Sequence, residues 1–319
     1  KAAEDRMDEV RPCIGSLNCL SRLFRDLPYT CTMNPMLGHE VEPEYHVTEA
    51  TEKKRVMVIG AGPAGMEAAI TARRRGHSVT VFDKADKIGG NLAAYAANDL
   101  ARPADLQSVI DYYGVMAKKL GVEVRLNTEA NAKFMRSVLH EYDACIVAAG
   151  ARTDMEVFRY MPGAELLIDA LEIAHGRKTV GKRVVMIGGG MIGLTIAEFL
   201  QKAGHEVTVV EKEKRVGGDI MPTFKWRHTA WVDELGIETV CSAELVKVTA
   251  EGATVKAAKG GERFIPCDNV IVSSPRRANH DLFYEFQWMV DELHGGGDAT
   301  VPRGLDAAIQ EGYKLGVRI

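Results

Sequence analysis

The stretch Val56-Met57-Val58-Ile59-Gly60-Ala61-Gly62-Pro63-Ala64-Gly65 decides the reading of this chain, because it occurs twice. The second copy is Val184-Val185-Met186-Ile187-Gly188-Gly189-Gly190-Met191-Ile192-Gly193. The match continues beyond the glycines. Ala69 meets Ala197, Gly76 meets Gly204, His77 meets His205, and Val79 and Val81 meet Val207 and Val209. Asp83 then meets Glu211, Lys84 meets Lys212, and Gly89-Gly90 meet Gly217-Gly218, all at the constant offset that joins Gly60 to Gly188. One glycine triplet is a weak signal. Two triplets whose flanks stay in register are specific, because chance does not reproduce the flanks.

Each copy has the context that the glycines need. A short β-branched run reads as a buried parallel strand. An amphipathic helix follows, expected over 64–75 and 191–202, and Gly76 and Gly204 stop it in the C′ manner. A second strand is expected over 78–82 and 206–210. The first glycine lets the chain turn sharply from strand to helix. The second lets backbone approach a pyrophosphate, and the third lets the helix pack hard on the strand. The helix N-terminus then presents free N–H groups and a partial positive charge to that pyrophosphate. Asp83 and Glu211 end the second strands, where a carboxylate accepts hydrogen bonds from ribose hydroxyls. The alternative is a bare βα turn with an ordinary surface acid, and it weighs more on the second copy than on the first.

The fold class expected is α/β, with two Rossmann-like dinucleotide-binding domains and the second inserted in the first. Residues 1–50 form a cysteine-containing linker. Residues 51–160 and 276–319 form the first domain, and 161–275 the second. The apolar runs 143–150 and 268–274 end in small residues, as strands passing close to a bound nucleotide do. Short alternating strands between Ile237 and Pro266 read as a small antiparallel crossover. Near the end, Gly297-Asp298 precede a helix expected over 304–315, and Asp298 reads first as a cap residue.

Of the 319 residues, 46% are hydrophobic and 26% charged, which excludes disorder as the basis of function. The net charge of −4 gives no electrostatic case for nucleic acid. No apolar run approaches the length of a membrane span, and no signal-peptide pattern follows Lys1. Six cysteines without a secreted disulfide pattern fit a reducing, cytoplasmic setting. Cys145, Cys241 and Cys267 lie among expected strands and read as small core residues. Cys13, Cys19 and Cys31 cluster near the start. Their spacing approaches that of an iron–sulfur site with Ser16 at the second ligand position, and four thiolates normally hold a four-iron cluster. Three thiolates suit a three-iron cluster, or a four-iron one completed by oxygen, and an empty site is the other reading. Zinc is weaker, since no histidine lies at ligand spacing.

The string Arg11-Pro12-Cys13-Ile14-Gly15, followed by Cys19, Cys31 and Asn34-Pro35, resembles the linker of one flavoenzyme family. That family contains trimethylamine dehydrogenase, histamine dehydrogenase and bacterial 2,4-dienoyl-CoA reductase. The resemblance runs through both glycine motifs to Gly297-Asp298-Ala299-Thr300-Val301-Pro302-Arg303, then Asp306-Ala307-Ala308 and Gly312. The family places an old-yellow-enzyme-like barrel carrying FMN ahead of this region, so the resemblance implies the C-terminal portion only, as a fragment or a separate subunit. It implies an oligomer, with the FMN-bearing barrel or an electron-transfer flavoprotein as partner. In the reductases, hydride passes from NADPH to FAD, and electrons go on through the cluster to FMN. In the amine dehydrogenases electrons run outward, and the first site holds ADP instead of FAD.

Carried over by position, Gly60, Gly62, Pro63, Ala64 and Gly65 would hold the FAD or ADP pyrophosphate, and Asp83 and Lys84 the adenosine end. Gly90, Asn91 and Leu92 would lie along that cofactor, with Ala149, Gly150 and Asp298 closing on it. Gly188, Gly190, Met191, Gly193 and Glu211 would form the NAD(P)H site. Cys13, Cys19 and Cys31 would be the metal ligands, with Ser16 departing from the pattern. Pro275 and His294-Gly295-Gly296 depart from it as well. Three functions stay open: the electron-input module of an NAD(P)H-dependent enoate or dienoyl reductase, an ADP-binding amine-dehydrogenase module, and a non-catalytic nucleotide-binding subunit. Glu211 favours NAD, and Lys212, Lys214 and Arg215 favour NADP. No catalytic acid or base is named, because hydride transfer between cofactors needs alignment more than proton donors.

Overall fold

The computed structural model describes residues 1–98, 103–258 and 260–319. The chain divides into two units. Residues 1–93, 104–151 and 278–319 make the first, and the second is built mainly on 152–277 together with residues 94–98.

Both units rest on a five-stranded, all-parallel sheet. In the first, the strand order is Leu293–Gly295, Ala144–Val147, Arg55–Ile59, Ser78–Phe82, Glu123–Arg125. In the second it is Leu167–Asp169, Asn269–Val272, Arg183–Ile187, Glu206–Glu211, Glu238–Cys241. The repeated valine runs are thus the central strands of two equivalent sheets. Their registers agree as well, with Val56 opposite Val79 and Val184 opposite Val207. Both central strands start on an exposed arginine and are then buried to the end, which is why they read as continuous apolar runs rather than alternating ones.

The second sheet shows what its two faces meet. Val184, Met186, Val209 and Ile271 pack with Leu194, Ile196, Ala197 and Leu200 of the helix Met191–Lys202. Val185, Ile187, Val210, Val270 and Val272 pack the other way, against Leu245, Val248, Val255 and Ile265. Those four belong to an antiparallel three-stranded sheet, Ala243–Thr249, Gly252–Ala257 and Glu262–Pro266. The period of two along each strand therefore separates a helical layer from a crossover layer. The crossover is smaller than the sequence reading had it. Glu238–Cys241 pairs in parallel with the strand Glu206–Glu211 and so belongs to the main sheet.

The first unit closes on its own C-terminus. The helix Leu305–Arg318 packs along the helix Pro63–Arg74, where a Cβ on Gly312 would lie 2.3 Å from the Ala64 carbonyl oxygen. Two longer helices, Pro103–Leu120 and Pro222–Glu234, carry no signal that the sequence reading used. Among the described residues no helix is long and apolar enough to cross a membrane.

The N-terminal segment is fastened to this frame by a buried charge. Glu67, on the first-motif helix, is fully buried. The guanidinium of Arg11 clasps its carboxylate at 2.5 and 2.8 Å, and donates also to the Met33 carbonyl at 3.0 Å. The Tyr113 hydroxyl donates to the same carboxylate at 3.1 Å. Burial, then the Glu67 charge, pushes the Tyr113 hydroxyl well above its usual range, so it remains a donor. Removing Arg11 leaves a carboxylate buried without its counter-charge, which costs about 3–5 kcal/mol. The variant Arg11→Met is expected to lose about that much in urea unfolding. The double variant Arg11→Met with Glu67→Leu is expected to recover most of it, because no unpaired charge is left in the core.

Candidate nucleotide-binding sites

In each glycine motif the turn is locked by the same four hydrogen bonds. Gly60 N–H donates to the Phe82 carbonyl at 2.8 Å, and Gly188 N–H to Val210 at 2.9 Å. Ala61 N–H donates to Asp83 Oδ2 at 2.6 Å, and Gly189 N–H to Glu211 Oε2 at 2.7 Å. The other carboxylate oxygen takes the N–H two residues on, Ala85 at 2.8 Å and Glu213 at 2.9 Å. Gly89 N–H donates to Ala61 O at 2.8 Å, and Gly217 N–H to Gly189 O at 2.6 Å. The acids at the strand ends therefore hold the glycine loop in shape. Each carboxylate oxygen keeps a further lone pair, so this bonding leaves room for a hydroxyl.

The glycines answer to different constraints. At Gly60, φ is +108°, and a Cβ would lie 2.3 Å from the Ala148 carbonyl oxygen. At Gly65 a Cβ would lie 1.9 Å from the Gly60 carbonyl oxygen, so helix and loop touch backbone to backbone. Gly62 is different. Its backbone is ordinary, with φ −76° and ψ 178°, and nothing lies within 4 Å of where its Cβ would be. The folded chain does not require a glycine at 62. The open space there lies at the N-terminal end of a twelve-residue helix.

The remaining residues singled out from the sequence of the first copy gather at the same end of the first unit. Pro63 opens the helix, and Ala64 is buried. Gly90 follows with φ +54°, and a Cβ there would come within 3.1 Å of Gly62 Cα. Asn91 Nδ2 donates to the Ala151 carbonyl at 3.0 Å, and Leu92 is buried. The Ala149 carbonyl accepts from Asn279 Nδ2 at 2.9 Å, and the Gly150 carbonyl from Asn279 N–H at 3.0 Å. Lys84 is exposed. Asp298 accepts from the N–H groups of Arg303 and Gly304 at 2.9 and 3.0 Å, just ahead of the C-terminal helix. It thus ties the loop ahead of that helix, whose own N-cap is Gly304 with no side-chain cap.

In the second unit Gly188 and Gly193 are buried, Glu211 is 9% exposed, and Gly190 and Met191 lie at the mouth. Lys212, Lys214 and Arg215 are exposed beside it. The sequence reading missed Asp219, whose carboxylate accepts the Met191 N–H at 2.9 and 3.2 Å.

The cysteine cluster does not assemble as expected. Cys13 is exposed, Cys19 and Cys31 are partly buried, and all three are free thiols. Among the described residues no group of three or more His, Cys, Asp or Glu side chains is placed to hold a metal ion. Ser16, at the second ligand position, is 2.9 Å from the Thr32 hydroxyl, so a neutral hydroxyl pair stands where a thiolate is needed. A serine hydroxyl does not ionise near neutral pH as a metal-bound thiol does. Cys13, Cys19 and Cys31 thus stand as three free thiols, and with Ser16 at the second position the residues present do not make a four-thiolate set.

Two outcomes follow from this geometry. Gly62→Ala is expected to leave the melting temperature within a degree or so, while the protein retains much less bound nucleotide after gel filtration; an equal loss of both would tie Gly62 to folding instead. Cys145 is fully buried in a strand, and burial pushes its thiol up to about 12. Peptide mapping after iodoacetamide at about pH 8 is expected to find Cys13 labelled in the native protein and Cys145 labelled only after unfolding.

Comparison with known proteins agrees with this architecture. A family model described as pyridine nucleotide-disulphide oxidoreductase matches residues 54–296. Cinnamate reductase of Clostridium sporogenes is 31% identical across the whole chain, which covers 47% of that protein. Dimethylamine dehydrogenase of Hyphomicrobium sp. is 28% identical over 99% of the chain and 49% of its own length. Among solved structures, a 2-naphthoyl-CoA reductase in complex with 2-naphthoyl-CoA superimposes with a TM-score of 0.94 at 31% identity, over the whole of this chain and 48% of that one. The chain thus spans about half the length of the curated relatives it matches. With its duplicated glycine turn, its paired parallel sheets and this match, the chain belongs to the pyridine nucleotide-disulphide oxidoreductase family.

Proposed function

We propose that this chain is the electron-input half of a larger NAD(P)H-dependent flavin oxidoreductase of the enoate- or dienoyl-reductase type. In this reading the first unit holds FAD and the second takes a reduced nicotinamide nucleotide. The observation that carries it is the turn around Gly62, a position that the fold leaves open and that is suited to a pyrophosphate. FAD seated there supplies a two-electron acceptor for a hydride. The chain's own part is to bind and align. Gly60 and Gly65 fix the turn, Pro63 and Ala64 present the helix end, and Asp83 and Lys84 meet the adenosine. Gly90, Asn91, Leu92, Ala149, Gly150 and Asp298 line the rest. In the second unit Gly188, Gly190, Met191 and Gly193 form the matching cradle, and the Glu211 charge at the strand end favours NADH over a 2′-phosphorylated nucleotide.

Substrate chemistry is assigned to an FMN-bearing barrel outside this chain. Two observations support that. The relatives are about twice as long. Within residues 20–29 the apolar side chains Leu20, Leu23, Phe24, Leu27 and Tyr29 are all exposed, with Phe24 at 75%, as at a surface meant to be covered. A second reading is an amine-dehydrogenase module that holds ADP and passes electrons to an electron-transfer flavoprotein. The two-residue spacing between the second ligand position, Ser16, and Cys19, with the likeness to dimethylamine dehydrogenase, favours it.

The anaerobic visible spectrum of the purified protein separates the two. Flavin bands that bleach on adding NADH are expected. A colourless protein that releases ADP on denaturation would contradict the first reading and support the second.

A further inference from the structure

At one paired position beside the two turns an amide in the first is matched by a carboxylate in the second. The register that joins Gly60 to Gly188 also joins Asn91 to Asp219. In the first unit the residue is a neutral amide that donates to a backbone carbonyl, and the space above Gly62 stays open. In the second unit it is a carboxylate. It accepts the N–H of Met191, the first residue of the helix Met191–Lys202, through both oxygens at 2.9 and 3.2 Å. A Cβ built on Gly190 would lie 2.8 and 3.0 Å from those same oxygens. So the chain lays an anion of its own over the second glycine, where its twin leaves room for a phosphate.

We propose that Asp219 sets the affinity of the second site by occupying the pyrophosphate seat until a dinucleotide displaces it. This rests on the reading that the second unit takes a nicotinamide nucleotide. The carboxylate already takes the N–H that would greet the pyrophosphate, and its charge opposes an incoming anion in the same few ångströms. Asp219 is exposed, so the side chain can swing into solvent without unpacking the core. The cradle is thereby complete and partly self-filled. The second nucleotide exchanges readily, as a hydride donor that must leave after each turnover requires. The first nucleotide meets no such competitor.

Titration calorimetry of NADH into the folded chain tests this. Asp219→Asn keeps an acceptor for the Met191 N–H, removes the charge and reproduces the amide of the twin site. It is expected to bind NADH about tenfold more tightly than the unaltered chain. Asp219→Ser is expected to behave alike, and equal melting temperatures establish that all three proteins are folded. The reciprocal change, Asn91→Asp, is expected to weaken retention of the nucleotide in the first unit. Equal NADH affinity in all proteins would overturn the role of Asp219 while leaving the second site as a nucleotide site. Weaker binding by Asp219→Asn would make the carboxylate a favourable contact and overturn the proposal as well. No NADH binding by any of them would remove the nucleotide reading of the second unit, and this proposal with it.

Discussion

A single close contact governs both halves of this molecule. Where the strand hands over to the helix, the third glycine of each motif brings backbone against the first glycine's carbonyl, with space for nothing larger than hydrogen. A Cβ there would sit 1.9 Å from that oxygen at Gly65, and 1.9 Å at Gly193. The contact pulls the helix down onto its sheet and turns the chain in one short step. Helix packing and the shape of the turn are thus two results of one constraint. The carboxylates of Asp83 and Glu211 reinforce it by tying the loop from the far side.

Much of this was readable in the letters. The repeat, the helix spans, the parallel strands and the acids at the strand ends all follow from local pattern, and both copies adopt the same registers. What was not readable depends on residues far apart in sequence. Arg11 and Glu67 are 56 positions apart, and neither letter announces the other. Asp219 stood in plain view in the Gly-Gly-Asp string, but its effect lies in where its carboxylate lands, which spacing alone does not give. Glu238–Cys241 looked like part of a small antiparallel layer because its length and residue types suit either sheet. Its parallel pairing is decided by neighbours.

The cysteines teach the opposite lesson. Their spacing suggested a site, yet among the described residues they form no group of three placed for a metal ion, and Ser16 pairs with Thr32. What remains of the N-terminal segment is a structural role, with Arg11 anchoring it to the first-motif helix, and an exposed apolar run facing outward. The functional weight then falls on the two glycine turns, which share a backbone and differ in charge at one seat.

If both turns are nucleotide seats, one holding its ligand firmly and one exchanging it, a single chain carries two nucleotides at once. Native mass spectrometry of the purified chain, before and after incubation with NADH, counts them directly. One retained adenine nucleotide before incubation and one further NADH after it, on the same chain, are expected. A chain that takes up no NADH, or that takes it up only by losing the ligand it already held, would contradict the claim.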